Sequence, residues 1–354
     1  MPLSQEAVMT ALGSITLPGT DRSLVEAGCV RQVEVDGATV RVLLAVPTGN
    51  PADGDAVRAD AVRVLEATEE VEKAIVEAKV LSPPPDSEAP AVGSQQAPAW
   101  ADRLADIRHV IAVASGKGGV GKSTVAANLA LGLARLGRGV GLLDADIYGP
   151  SQQIMLGGGQ PMGDPSGKIL PIKAVGGVKV MSLGMIIDAD QPVIWRGPML
   201  MKALEQFIGD VLWGELDDLV VDLPPGTGDV ALTLCQNVPL AGAVIVTTPQ
   251  DVALIDARKA LLMFRKLGVP VLGLIENMAH FTCPSCGHVE HIFGSGGGLR
   301  TARELDIPFL GEIPIDSAIV AGGDSGRPIV VERPDSPASQ AFQELARQVA
   351  EQLS

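Results

Sequence analysis

Apolar residues fall in short unbroken runs over most of the chain and in alternation only near its start, and the two patterns predict two kinds of sheet. Residues 110–114, 140–143, 178–183, 219–223, 243–247 and 271–275 are mostly continuous blocks of Val, Ile, Leu and Ala. Strands of that kind are buried on both faces, as in a parallel sheet wrapped by helices. Between and after them, helices are predicted over 122–136, 199–211, 252–267 and 338–353, the last with Phe342, Leu345, Val349 and Leu353 at helical spacing. Near the start, residues 30–35 and 39–44 alternate with period two and flank Asp36-Gly37, a hairpin signal. Helical patterns over 5–12 and 55–67 complete a compact α+β module.

Between the two parts, residues 81–100 are rich in Pro, Ala and Ser and poor in bulky apolar groups. Such a stretch cannot bury enough surface to offset its ordering entropy and reads as a linker. The expected organisation is a small α+β domain over 1–80, a linker over 81–105 and an α/β domain over 106–354.

The chemistry begins where the first apolar strand ends. Residues 116–124 read Gly-Lys-Gly-Gly-Val-Gly-Lys-Ser-Thr, so a buried strand runs through a glycine-rich loop into a helix. Glycines at 116, 118, 119 and 121 let successive N–H groups turn inward on one anion, and the helix adds the positive end of its dipole. This is a P-loop: Gly116, Lys117, Gly118, Gly119, Val120, Gly121, Lys122, Ser123 and Thr124 form the nucleotide cradle. Lys122 is placed to reach the β and γ phosphates, and the Ser123 hydroxyl to bind Mg²⁺. The fold class is therefore an α/β P-loop NTPase with a mainly parallel sheet wrapped by helices, preceded by the small α+β domain.

Two further strand ends carry carboxylates. The run 219–221 ends in Asp222, followed by Leu-Pro-Pro-Gly-Thr-Gly-Asp. That position suits the Walker B task of holding Mg²⁺ or its water, although a helix cap would use the same residue type. The run 140–143 ends in Asp144-Ala145-Asp146. Two carboxylates one residue apart can divide the labour, with Asp144 near the metal shell and Asp146 orienting the attacking water.

Composition narrows the partners. The chain has 46% hydrophobic residues but no apolar run near the ~20 residues of a membrane span. The N-terminus lacks a basic region followed by an apolar stretch, and the expectation is a cytoplasmic protein with no membrane partner. The helix over 338–353 carries one basic residue, Arg347, so core packing is expected of it rather than membrane attachment. A net charge of −15 repels nucleic acid, and no nucleic-acid partner is expected.

Four cysteines do not make a disulfide framework in a chain of 354 residues. Cys29 and Cys235 sit among apolar neighbours and read as packed side chains. Cys283 and Cys286 form a Cys-x-x-Cys in a loop shortly after a core strand, a spacing that lets both sulfurs meet one soft metal. Two thiolates are half of a tetrathiolate site, and a second subunit would supply the rest by symmetry. The alternative is zinc held within one subunit by Cys283, Cys286, His288 and His291. A thiol oxidoreductase would want the pair at a helix N-terminus in a thioredoxin-like unit, which nothing around Thr282 suggests.

Lys117, one position after the first glycine, could be a solvated loop lysine, but there the loop resembles the deviant P-loop class of MinD, the ParA partition ATPases and nitrogenase iron protein. That resemblance implies a homodimer in which Lys117 reaches the partner's nucleotide and supplies charge to the transferring phosphoryl group. A partner-organising ATPase of the ParA/MinD kind is an alternative function. More narrowly, the chain resembles the Mrp/ApbC family of iron-sulfur cluster carrier ATPases. The resemblance is carried by the P-loop, Asp-Ala-Asp-Ile-Tyr-Gly-Pro-Ser from 144, Trp195-Arg196-Gly197-Pro198-Met199, the Asp222 segment, Thr248-Pro249-Gln250, Glu276-Asn277-Met278 and Cys283-Pro-Ser-Cys286. It implies slow ATP hydrolysis, with Lys117, Lys122 and Asp146 as catalytic residues and Asn277 against the adenine. It also implies a labile [4Fe-4S] cluster bridged by the Cys283 and Cys286 pairs of two subunits and handed to apo iron-sulfur proteins. The first 80 residues resemble a MIP18-type domain whose usual Asp-Pro-Glu turn is replaced by Leu17-Pro18-Gly19-Thr20.

Overall fold

The structure, a computed structural model, describes residues 5–18, 23–36, 38–47, 51–68, 71–81, 100–147, 149–185, 204–205 and 207–353. The chain divides into two compact units, Met1–Gln95 and Gln96–Ser354. Most of the expected linker, the Trp195–Met199 motif, Tyr148, and residues 199–203 and 206 of the expected 199–211 helix lie outside the described residues.

In the first unit, α1 (Gln5–Leu12) precedes β1 (Val30–Asp36) and β2 (Thr39–Pro47), which pair antiparallel from Asp36 opposite Thr39. The helix α2 (Pro51–Glu66) then crosses to β3 (Lys73–Leu81), which lies parallel to β2 with Thr39 opposite Lys73. β3 was not expected from the sequence. Its alternation sets Lys73, Ile75 and Glu77 on one face and Ala74, Val76 and Ala78 on the other, and Val76 is buried. The core holds Val8, Leu12, Leu24, Cys29, Leu44, Val57 and Leu65, so Cys29 packs as a small apolar side chain.

The second unit is built on a nine-stranded sheet. Trp100 and Leu104 are buried in its core, so the expected linker ends before Trp100; at its start, Leu81 is still strand. β4 (Ile107–Ser115) leads into α3 (Lys122–Arg135), then β5 (Val140–Asp144), α4 (Gln152–Met155), the short hairpin β6 (Met162–Gly163) and β7 (Ile169–Leu170), β8 (Ile172–Lys173) and β9 (Lys179–Ser182). β10 (Leu216–Asp222), α5 (Asp229–Asn237), β11 (Leu240–Thr247), α6 (Asp251–Lys266), β12 (Val271–Thr282) and β13 (Val289–Glu290) follow. The chain ends with α7 (Gly297–Glu304), β14 (Phe309–Ile315), α8 (Ser317–Asp324), α9 (Ile329–Glu332) and α10 (Pro337–Gln352).

The strand order is β13-β12-β11-β4-β10-β5-β9-β8, with β14 also on β12, and all pairs are parallel except those made by the two-residue β8 and β13. The unbroken apolar runs are explained by a core on each face. Val110, Ala112 and Ala114 of β4 face one cluster with Leu234 of α5 and Phe264 of α6. Ile111 and Val113 face the other, with Leu129 of α3 and Phe342 of α10. Phe264 and Phe342 are fully buried, and truncating either to Ala would cost about 3–5 kcal/mol. α10 starts at a Ser336 cap, whose hydroxyl accepts from the Ser339 N–H, and buries Phe342, Leu345 and Val349. Because β4 is hydrogen-bonded to β10 and β11 while the chain after it returns at β5, the loop following β4 opens over the C-terminal edge of the sheet, where open α/β sheets bind ligands.

Candidate functional site

Parallel register brings the strand-end residues into one row. Val113 of β4 lies opposite Asp222 of β10, Asp222 opposite Asp144 of β5, and Asp144 opposite Ser182 of β9. The P-loop covers this row. Gly121 holds φ 82° as the N-cap of α3, and a Cβ there would come within 2.2 Å of Asn277 Nδ2, so only glycine fits. Asn277 Nδ2 in turn donates to the Val120 carbonyl at 2.8 Å, tying the loop to β12.

Lys122 is buried and sits among carboxylates. Its Nζ donates to Asp222 Oδ1 at 2.5 Å and lies 3.5 Å from Asp146 Oδ2 and 3.4 Å from Ser123 Oγ. A buried ammonium is tolerable only with such partners, and a phosphate entering the loop would compete for the same charge. Asp146, Lys117, Lys122, Ser123 and Thr124 line the same cleft, with Pro225 from the segment after Asp222. Expected loop, strand-end acid and Lys117 therefore meet at one place.

Asp144 is held differently. Its Oδ1 accepts from the Asp146 N–H at 3.1 Å, and its Oδ2 from the N–H groups of Ser151 and Gln152 at 2.9 and 3.0 Å and from Ser182 Oγ at 3.0 Å. These bonds tie Asp146, Ser151 and Gln152 back to the end of β5. Burial, and then the nearby Asp222 carboxylate, push the Asp144 carboxyl up to about 6, against the pull of its hydrogen bonds.

Beside the phosphate cleft lies a second, mostly apolar cavity of about 350 Å³, lined by Asn277, Met278, Ile292, Phe293, Pro314 and Val320 and sharing Gly121 and Thr124. A flat aromatic base fits such a slot, with Asn277 as a polar contact at its wall. Met278 is left-handed (φ 59°), and the pairing of β12 with β14 slips between Asn277 and Phe281.

β12 runs past the expected end at 275 to Thr282 and turns through the cysteines into β13. The turn is closed by the Cys283 N–H donating to the His288 carbonyl at 2.8 Å and the Gly287 N–H to the Cys283 carbonyl at 2.9 Å. Cys286 is exposed and Cys283 half-buried. The N–H groups of Ser285 and Cys286, aided by the Cys286 thiol, hold the Cys283 thiol below its ordinary value, which favours the thiolate that binds metal. His291 Nδ1 lies 3.1 Å from the Ala279 carbonyl. Among the described residues no three His, Cys, Asp or Glu side chains come together as a metal site, so the four-ligand zinc set of one subunit is not assembled.

Residues 106–350 match the family described as NUBPL iron-transfer P-loop NTPase. The chain belongs to this family. Residues 5–78 match a second family, described as iron-sulfur cluster assembly protein. An iron-sulfur cluster carrier protein from Synechocystis is 44% identical over 99% of this chain and 98% of its own length. Among solved structures, a nucleotide-binding protein from Archaeoglobus fulgidus in complex with ADP is 41% identical, with TM-score 0.60 over 69% of this chain and 96% of that one. The cell division ATPase MinD of Pyrococcus furiosus is 26% identical, with TM-score 0.52 over 69% of this chain and 99% of its own.

For this iron-transfer NTPase, two polar residues of the site were missed by the sequence reasoning. Ser182 reaches Asp144 only because β9 pairs with β5, and no local motif marks it. Gln152 lies one residue beyond the Asp144–Ser151 motif and donates to Asp222. No helix among the described residues is long and apolar enough to cross a membrane.

Proposed function

We propose that this chain is an ATP-binding and hydrolysing carrier of [4Fe-4S] clusters, working as a homodimer in the cytoplasm and delivering its cargo to apo iron-sulfur proteins. The observation that carries this is the cysteine turn: two accessible thiols, one with its thiolate favoured, extend from the same strand that pins the P-loop through Asn277. Four sulfurs from two such turns make a tetrathiolate site that neither copy contains alone. A cluster held at a seam between subunits is releasable when the seam moves, and nucleotide acting on the loops at 144–152 and 222–229 moves it.

The residues fit a magnesium nucleotide. The loop N–H groups and Lys122 take the phosphates, Ser123 and Asp222 hold the metal or its water, and Asp144 serves the metal from behind by fixing the loop. Magnesium supplies charge neutralisation on the phosphates when bound. Asp146 orients the attacking water, Lys117 supplies charge to the partner copy's phosphoryl group, and Asn277 contacts the adenine. Turnover is slow and serves cluster transfer. The first domain, which ends with β3 at Leu81, is joined to the second by the chain between Leu81 and Trp100.

The test is anaerobic loading with iron and sulfide, followed by absorption spectra, metal analysis and sedimentation, for the parent and the Cys283→Ala/Cys286→Ala variant. About four irons per dimer are expected in the parent and none in the variant, with ADP affinity unchanged. Equal loading of the variant would sink the proposal, as would a parent that stays monomeric under every ligand condition.

A further inference from the structure

Gln152, the first residue of α4, is fully buried, yet an apolar side chain would occupy its place at a lower desolvation cost. Its Nε2 donates to Asp222 Oδ2 at 2.8 Å and to the Ser123 carbonyl at 2.9 Å. Both partners accept only, so the amide has one orientation; turned over, it would set its oxygen against two others. Its own backbone N–H is held by Asp144 Oδ2 at 3.0 Å. One residue thus joins three parts of the cleft: through its backbone the segment held by Asp144, and through its side chain the start of α3 and the carboxylate at the end of β10. Its Oε1 is buried and finds no hydrogen-bond partner among the described residues. An amide so placed is hard to explain by packing alone.

We propose that Gln152 is a positioning residue for the magnesium-dependent step, an inference that rests on the magnesium nucleotide assigned above. It pins Oδ2 of Asp222, which leaves Oδ1 as the oxygen that serves a magnesium water once Lys122 turns from it to a phosphate. Through its backbone bond to Asp144, the same residue makes the position of Asp222 depend on the loop at 144–152. The prediction is selective: Gln152 matters to the gain in nucleotide affinity that magnesium brings, and not to the phosphate cradle itself.

The experiment measures ADP affinity of the full chain by calorimetry, once with Mg²⁺ and once with a chelator, for the parent, Gln152→Met and Gln152→Glu. Both variants keep the side chain's length; Gln152→Met loses both donated bonds, and Gln152→Glu loses at least the one to the Ser123 carbonyl or the one to Asp222. The expected result is a fall of about tenfold in the ratio of the two affinities, as for a lost hydrogen bond to a charged group, with the chelator value within about twofold of the parent. An unchanged ratio in either folded variant overturns the proposal. So does a parallel loss of both affinities with a lower unfolding midpoint, which is what a merely structural role produces. If Gln152→Met does not fold, Gln152→Glu, of nearly identical shape, carries the test. If neither variant folds, the residue is structural and the proposal is overturned. A parent whose ADP affinity ignores Mg²⁺ removes the magnesium assignment itself and this inference with it, a failure distinct from the others because it shows in the unaltered chain.

Discussion

The nucleotide cleft and the cysteine turn occupy the same edge of one sheet, yet the first is built inside the chain and the second is left on its surface. Lys122, Asp144 and Asp222 are buried, and each makes hydrogen bonds to named neighbours. The cysteine turn is closed by short-range bonds of its own residues and leaves Cys286 exposed and Cys283 half-buried. Each is built for its own task. A cradle for a triphosphate gains from being preformed, since charge fixed in a dry site costs no reorganisation when the ligand arrives. Under the proposed function the turn is a half-site, and a cargo site completed by another copy opens by separation.

The strongest way to break this contrast is to empty the cleft of its charge and ask whether the turn notices. Lys122→Ala removes the buried counter-ion of Asp222, which is expected to cost about 3–5 kcal/mol in unfolding free energy. It is also expected to lower ATP hydrolysis by about a hundredfold or more, because a charged contact to the transferring phosphoryl group is lost. Iron and sulfide loading in the absence of nucleotide is expected to stay at the parent's level. If loading falls with hydrolysis, the two regions are not separately built. Denaturant unfolding, phosphate release and iron analysis on one preparation decide it.

A smaller effect, confined to the cleft, comes from Asp144. Its carboxyl is raised to about 6 from an ordinary 3.8, so the folded chain holds this proton more tightly than the unfolded chain does. The group therefore favours the fold most below pH about 4, and the contribution is lost as pH rises through 6. Asp144→Asn removes it. In metal-free buffer, the stability of the parent minus that of the variant is expected to fall by up to about 3 kcal/mol between pH 4 and 7. A difference that is flat with pH, or that rises, would show that Asp144 is not the strained acid of the cleft.

How far the sequence foretold the two regions follows from the same contrast. The cysteine turn and the P-loop are contiguous, and local spacing reveals them: Cys283 with Cys286, and glycines before Lys122. The cleft's inner wall is assembled from strands far apart in the chain. Ser182 meets Asp144 through the register of β9 on β5, and Gln152 meets Asp222 across seventy residues. A serine after an apolar strand and a glutamine after a serine carry no signal of their own. The parallel sheet was legible because burial on both faces leaves unbroken apolar runs. β3 was missed because Ile75 interrupts the alternation that Lys73, Glu77 and Lys79 would otherwise mark. The end of β12 was missed because Glu276, Asn277, His280 and Thr282 break the apolar run that marks the start of the strand. The left-handed Met278 within that stretch has no sequence mark at all.

The smallest expected effect separates the cysteines themselves. Cys235 is buried on α5, and burial pushes its thiol up to about 12, while Cys283 is held below its ordinary value on an exposed turn. Alkylation depends on thiolate and on access, and both favour Cys283. Brief treatment of the native, metal-free protein with iodoacetamide at pH 7.5 is expected to label Cys283 before any other position and to leave Cys235 unlabelled, as read by peptide mass spectrometry. Cys235→Ala should cost about 1 kcal/mol, since it removes one small buried atom from the core. It should also leave iron loading and hydrolysis at the parent's values. Labelling of Cys235 at a rate near that of Cys283 would mean that the core around α5 opens as readily as the turn. The contrast between a closed cleft and an open turn would then be one of appearance only.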